Sequence, residues 1–360
     1  MEFIKKNSQL VNVPDTLHSM FPGIARNHKG ELVLECCGGS DFESSDAAMY
    51  YFKSSDNGVT WDYRGELLDL APLELPHCLS ASCKPMLLKD NSMLSVGYGF
   101  LRDKPEMGLS DYAEKFGTFP KVINFVTRST DGGDTWNAPE LIEHGYFGLE
   151  VSGPALQLAN GEVLFFAPPF DLKAVEQLGL VMSSTDGGRT FKEKSRFFRS
   201  DDTTSWEVRS TQLPSGRIVL ILWAFDLKQQ QHRPNHIVWS DDNGATWCDP
   251  VDTGIPGQAA NLVQIKDQLA AVWCKRAGDN TGVYLTELDL SGDSLIVGKT
   301  VCLWDAAGAA NADGDITQQF AALKFGQPQA MMLDDNTMML SFWAYAGDKY
   351  SIQIHHLEIK

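Results

Sequence analysis

Ser129-Thr130-Asp131-Gly132-Gly133-Asp134-Thr135-Trp136 decides the fold, because the same Ser-x-Asp-x-Gly-x-Thr-aromatic pattern stands at four places in the 360-residue chain. The other copies run from Ser54 to Trp61, Ser184 to Phe191 and Ser240 to Trp247. Each follows a strand-like run (48–53, 122–128, 179–183 and 236–239), which puts it in the turn of a β-hairpin. The residue types suit that place. The Asp carboxylate accepts hydrogen bonds from the turn's own N–H groups, and the Gly supplies a positive φ. Thr returns the chain to β geometry, and the aromatic ring is large enough to wedge against a neighbouring sheet. The spacing lacks the oxygen ligands of a calcium loop, so these turns are structural.

A second repeat precedes each of these turns and outnumbers them. Six strand–turn–strand units are centred on Lys29-Gly30-Glu31, Asp90-Asn91-Ser92, Asn160-Gly161-Glu162, Ser215-Gly216-Arg217, Lys266-Asp267-Gln268 and Asp335-Asn336-Thr337. Six hairpins at intervals of roughly 50 to 70 residues predict an all-β, six-bladed β-propeller of four-stranded blades. The expected arrangement is one domain over residues 1–360, with the first strand of each hairpin innermost. Blade five has Ser291-Gly292-Asp293 as a degenerate outer turn, and blade six runs out of chain after 350–357. Residues around Phe3 to Val11 are expected to supply its fourth strand, which would remove the exposed sheet edges. No long segment has helical periodicity, and only 171–178 suggests a short helix. The longest insertion, 102–120, reads as a functional flap.

Composition excludes several functions. A net charge of -17 argues against nucleic acid and anionic membrane, which are held by clustered Lys and Arg. No segment approaches the roughly 18 apolar residues of a membrane span, and Met1 to Asn7 lacks the apolar run of a secretory signal. Seven cysteines, without a CxxC pair, suggest reduced core thiols. The expectation is a soluble, cytoplasmic protein acting on a small molecule, with no metal and no cofactor.

If the repeated turns occupy one face of the propeller, the inner strands begin on the other, and that mouth is the expected site. Inner-strand starts contribute His77, Lys84, Glu150, Glu207, Arg209, Gln258, Gln327 and Gln329. Loops between second and third strands add Asp46, Arg102, His232, Lys275, Arg276 and Tyr345. Glu207 and Arg209 lie two apart on one strand, so both are expected to face the axis, the arginine holding the glutamate ionised. Trp206, Trp223, Trp273 and Trp343 are candidates for stacking on sugar rings, although three share one second-strand position and read as core.

The four Ser-x-Asp-x-Gly-x-Thr turns resemble the Asp boxes, or BNR repeats, of the sialidase superfamily. Over the whole chain that resemblance implies the propeller fold. Glu207-Val208-Arg209, continuing through Leu213-Pro214-Ser215-Gly216, resembles the family's blade-four Glu-Ser-Gln and Leu-Pro-Asp-Gly, so Glu207 matches the family glutamate. Asp41 and Asp46 are both placed to match its acid/base aspartate. Elsewhere the pattern departs. Met20-Phe21-Pro22 replaces Arg-Ile-Pro, Leu222-Trp223-Ala224 replaces the second arginine, and Gln327 stands where the nucleophilic tyrosine is expected. Sialidases clamp the substrate carboxylate with three arginines, so these losses imply a glycan without sialic acid. Two carboxyl groups of different proton affinity suffice for an ordinary glycosidase. Glu207 is the first of these and Glu150 or Asp46 the second, with Arg209 and His77 as auxiliary catalytic groups. Lys84, Arg102, His232, Gln258, Arg276, Gln327 and Gln329 are the expected substrate contacts. Two alternatives stay open. A polysaccharide lyase would use Lys84, Arg209, Lys275 and Arg276 to neutralise a uronate while His77, His232 or Tyr345 removes the proton. A non-catalytic sugar- or protein-binding propeller would need none of this chemistry.

Overall fold

In the computed structural model, which describes residues 1–15, 18–171, 174–307, 319 and 322–360, six four-stranded antiparallel sheets are arranged as a β-propeller. Blade one runs outward from the axis through His18–Arg26, Leu32–Gly39, Ala48–Ser54 and Asp62–Glu66. Blade two comprises Leu79–Leu87, Met93–Leu101, Val122–Ser129 and Glu140–Leu141, and blade three Leu156–Gln157, Val163–Ala167, Gln177–Ser184 and Lys192–Ser200. Blade four comprises Trp206–Gln212, Ile218–Trp223, His236–Ser240 and Val251–Asp252. Blade five is built from Ala260–Ile265, Gln268–Lys275, Gly282–Asp289 and Ile296–Asp305. Blade six takes Phe325–Met332, Thr337–Ala346 and Lys349–Ile359 from the end of the chain and Phe3–Val11 from its beginning. Phe3 pairs with Ile359 and Val11 with Ile352, so the first strand closes the ring as the sequence suggested.

The second strands are buried on both faces, which explains their unbroken apolar runs. Leu32–Gly39 and Ile218–Trp223 are buried at every residue. Apolar clusters fill each junction between neighbouring blades, from Met49, Phe125 and Leu79 between blades one and two to Phe325, Phe342 and Val283 between blades five and six. Trp223, Trp273 and Trp343 belong to these cores and are nearly inaccessible.

All four Ser-x-Asp-x-Gly-x-Thr turns share one geometry. In the second, Oδ1 of Asp131 accepts from the N–H groups of Asp134 and Thr135 at 3.0 Å each, and Oδ2 accepts from the Thr135 hydroxyl at 2.6 Å. Ser129 donates to the same carboxylate at 2.8 Å while accepting from Gly133 N–H at 2.8 Å. Gly133 sits at φ 84°, a conformation that side chains with a Cβ resist. The equivalent Asp56 and Asp242 are drawn down to about 2, first by the hydroxyls of Thr60 and Thr246. Each turn also reaches the preceding blade. Gly132 O accepts from Asn27 at 2.7 Å, and Asp134 pairs with Lys29 and Lys53 of blade one. Gly244 O accepts from Ser195 of blade three at 2.5 Å, and Asn57 O meets His356 of blade six at 2.8 Å. These turns therefore staple blades together on the face that also carries the first-hairpin turns, leaving the inner-strand starts on the opposite face.

An α-helix, Leu109–Phe116, lies inside the 102–120 insertion. The helix suggested at 171–178 does not form over the described part: Gln177 and Leu178 already belong to a blade-three strand, and residues 172–173 lie outside the described residues. Pairing with Arg199 and Ser200 overrides the weak local preference. No described helix is long and apolar enough to cross a membrane.

Candidate active site

The inner strands of blades one, four and six are irregular where they enter the mouth. Their pairing jumps between Met20 and Gly23, Trp206 and Arg209, and Gly326 and Gln329. Each bulge holds one non-glycine residue in the left-handed region: Phe21 at φ 56°, Glu207 at 47° and Gln327 at 48°. Such a conformation costs on the order of 1–3 kcal/mol and persists only where the surroundings impose it. The bulge also corrects the expectation that Glu207 and Arg209 face the axis together by simple alternation. Here the two side chains sit at different depths instead: Glu207 stands at the mouth and Arg209 lies deeper along the axis, its Nη1 donating to Val208 O at 3.2 Å.

Glu207 instead meets a glutamate from the next blade. Glu150 precedes the short inner strand of blade three, and its N–H donates to Pro168 O at 2.9 Å. Its Oε1 accepts from the Ser152 hydroxyl at 2.7 Å and from the backbone N–H of Glu207 at 3.2 Å. Burial, with Glu207 as the second cause, pushes the Glu150 carboxyl up to about 8, which favours its protonated form. The side chain of Glu207 accepts from Gln327 Nε2 at 3.4 Å, while its buried Oε2 has no partner among the described residues. Arg209 feels both glutamates and offsets part of their burial.

Tyr98 completes this side of the mouth and was missed in the sequence. It pairs directly opposite Ser82 on the second strand of blade two, and burial, then Glu150 and Glu207, raise its phenol above the ordinary value. Its ring lies 5.8 Å from Phe100 and 5.1 Å from Phe170, with Phe119 of the insertion 5.7 Å from Phe170. Register from Ser82, two residues before the inner-strand candidate Lys84, is the signal that would have found it.

Blades four to six line the other side. The indole N–H of Trp223 donates to His232 Nδ1 at 3.1 Å, which puts the proton of the neutral ring on Nε2. That nitrogen lies 2.8 Å from Gln319 Oε1 and 2.9 Å from the Gln258 amide. Burial lowers the affinity of His232 for a second proton. Arg276 is 1% exposed, donates through Nε to Phe325 O at 2.8 Å, and leaves Nη1 and Nη2 without partners among the described residues.

The remaining candidates are placed elsewhere. Asp46 is exposed and organises its own loop, accepting from Ser40 N–H and hydroxyl at 3.1 and 3.0 Å. The guanidinium of Arg102 is taken up by Glu43 O, Ser44 O, Ser80 and Met107 O, and so ties the 102–120 insertion to blade one. His77 is exposed in the connection between blades one and two. Gln329 exchanges two hydrogen bonds with the Ile24 backbone and joins the inner strands of blades six and one. Lys84 is buried beneath the first bulge, donating to Phe21 O at 2.6 Å. Lys275 donates to Asp279 O, and Tyr345 is exposed beside Lys324. Met20 is fully buried, and the Phe21 ring packs 5.6 Å from both Phe42 and Trp343.

Among solved structures, the chain is similar to a protein of unknown function from Dyadobacter fermentans, with 20% identity, TM-score 0.76 and 99% of each chain covered. It is also similar to the Hadza microbial sialidase Hz136, with 15% identity and TM-score 0.67 over 95% of this chain and 66% of that one. For the K499G mutant of the NanB sialidase from Streptococcus pneumoniae the values are 12% and 0.64, over 98% and 70%. At these identities the likeness is one of fold: a six-bladed propeller of sialidase-like architecture. No protein-family model and no curated protein matches the chain.

Proposed function

We propose that this protein is a glycoside hydrolase of the sialidase-like superfamily acting on a glycan that lacks sialic acid. The observation that carries the reading is the meeting of Glu150 and Glu207 across blades three and four, with the Glu207 N–H on Glu150 Oε1 at 3.2 Å, where burial and the Glu207 charge favour the protonated form of Glu150. In this reading the carboxylic acid of Glu150 gives its proton to the glycosidic oxygen as the bond to the anomeric carbon breaks. Glu207 attacks that carbon, or takes the proton of a water that does. Arg209 lies beneath the pair, and Tyr98 offers a hydroxyl donor beside it.

The sialoside is excluded on steric and electrostatic grounds. Where the repeated turns are read as Asp boxes, the clamp's first arginine falls at Met20, which is buried, and its neighbour Phe21 packs into an aromatic cluster with Phe42 and Trp343. Gln327 occupies the nucleophile position and bonds to Glu207. One observation favours a second reading: the Arg276 Nη1 and Nη2 atoms, without hydrogen-bond partners among the described residues, suit a uronate carboxylate, as a lyase would require.

The test is a panel of neutral, uronic and sialic oligosaccharides with wild type and Glu207→Gln. Hydrolysis of a neutral glycan, lost in the variant and without release of sialic acid, is the expected result. A product absorbing in the ultraviolet through a new C4–C5 double bond would establish the lyase. Turnover of a sialoside, or wild-type rates in Glu207→Gln, would overturn the proposal; saturable binding without turnover would make the chain a lectin.

A further inference from the structure

Beneath the mouth, on the axis, lies a narrow cavity with room for about one water-sized particle. Four prolines form much of its wall (Pro22, Pro85, Pro154 and Pro328), and proline has no N–H to offer. Its charged lining consists of Lys84 and Arg209, only 3% and 4% exposed. Neither cation has an ion pair within 4.0 Å among the described residues, which is unusual because a buried charge costs several kcal/mol, about the penalty of desolvating one ion, unless it is compensated. Lys84 Nζ makes one hydrogen bond, to Phe21 O at 2.6 Å, and Arg209 makes one, through Nη1 to Val208 O at 3.2 Å. The other N–H groups of both side chains have no protein acceptor among the described residues. The two cations repel one another, and this repulsion adds to burial in lowering Lys84 to about 8.

The nearby carboxyl groups do not balance them. Glu35 is the acid nearest Lys84, but burial raises it to about 7, and its oxygens are occupied by the Ser95 hydroxyl at 2.5 Å and the Cys83 thiol at 3.3 Å. Glu150 is raised to about 8 by burial and by the Glu207 charge, which weakens it as a counter-charge. Glu207 acts on Arg209 from the mouth, beyond ion-pair distance, and its Oε1 accepts from Gln327 Nε2 at 3.4 Å. Close packing fixes the geometry: a Cβ at Gly23 would lie 2.5 Å from Lys84 Cδ, so the lysine stem has no room to swing its ammonium out to solvent.

We infer that the axial cavity is a binding site for a small monovalent inorganic anion of chloride size, held between Lys84 Nζ and the Arg209 guanidinium. The anion supplies the negative charge that the protein omits and locks the inner strands of blades one, two and four at the axis. The inference shares with the reaction proposed for the mouth only the raised proton affinity of Glu150, and the halide soak tests it without any substrate.

Crystals soaked in sodium bromide test it directly by anomalous scattering. The expected result is a bromide peak on the axis in contact with both cations. The companion measurement is melting temperature in sodium chloride against sodium gluconate at equal ionic strength. Wild type is expected to show a saturable stabilisation specific to chloride, with the half-saturating concentration raised roughly tenfold or more in Lys84→Met, the ratio that about 1.4 kcal/mol of lost binding gives. A halide found only at the outer surface, or water at the axis with identical melting curves in the two salts, would overturn the site. Because the soak uses wild type, a failure of Lys84→Met to fold does not protect the inference.

Discussion

His355 is 3% exposed in the closing blade, stacked on Phe342 at 5.4 Å, with neither ring nitrogen bonded to any described residue. Burial, then Lys5 and His356, lower its affinity for a second proton to about 4 from 6.5. The unfolded chain therefore binds this proton at a higher pH than the folded one, so the fold loses stability as pH falls from 6.5 towards 4. The loss is roughly 2 to 3 kcal/mol near pH 4.5, taking about 1.4 kcal/mol per pKa unit. His355→Phe should remove that part of the acid sensitivity, measured as the difference in denaturant unfolding free energy between pH 7 and pH 4.5. An equal acid loss in variant and wild type would show that the ring is not held neutral. Residues of this kind were only partly legible. Glu207 and Glu150 could be read from their positions at inner-strand starts, whereas Tyr98 required the register of a neighbouring strand. Arg102 had the right chemistry and the right loop, but its donors serve backbone carbonyls, a use that no spacing reveals.

At the scale of the element, the turns around Asp56, Asp131, Asp186 and Asp242 were the clearest signal, because their bonds are almost entirely local. Asp131→Ala removes acceptors for two backbone N–H groups and two hydroxyls. It should lower stability by about 1 to 3 kcal/mol while leaving activity per folded molecule unchanged. Melting curves together with active-site titration check this, and a selective loss of activity at unchanged melting temperature would contradict it. The bulges at Phe21, Glu207 and Gln327 were not legible. The residues that form them carry no glycine at the positive-φ position, since the strain is imposed by packing around the axis. The helix Leu109–Phe116 escaped notice for a different reason: it is short, and none of its residues is buried, so it leaves no core stripe in the sequence.

For the whole molecule, closure by the first strand is the contact of longest sequence separation. Phe3–Val11 covers the outer edge of Lys349–Ile359 and also brings Gln9 to Gly58 O of blade one. Closure was legible because blade counting leaves the last sheet one strand short. A chain lacking residues 1–11 should melt at lower temperature and self-associate through the exposed edge, as followed by calorimetry and light scattering. Supplying the segment as a peptide in trans should reverse both effects. An unchanged scattering mass with unchanged melting would show that the strand is ornamental. The substrate was not legible at any scale, since the propeller positions residues from all six blades and the fold alone does not choose a reaction.

The proposed hydrolysis requires Glu150 to be the protonated partner of Glu207. Carboxyl carbon chemical shifts of the labelled wild-type protein, followed through a pH titration, measure this without a substrate. The pair should titrate with one apparent pKa about 8, falling in Glu207→Gln yet staying above the ordinary value of 4.5, because burial is the larger cause and the Glu207 charge the second. A Glu150 resonance that titrates at 4.5 in both proteins would contradict the acid–base pair and, with it, the proposed hydrolase.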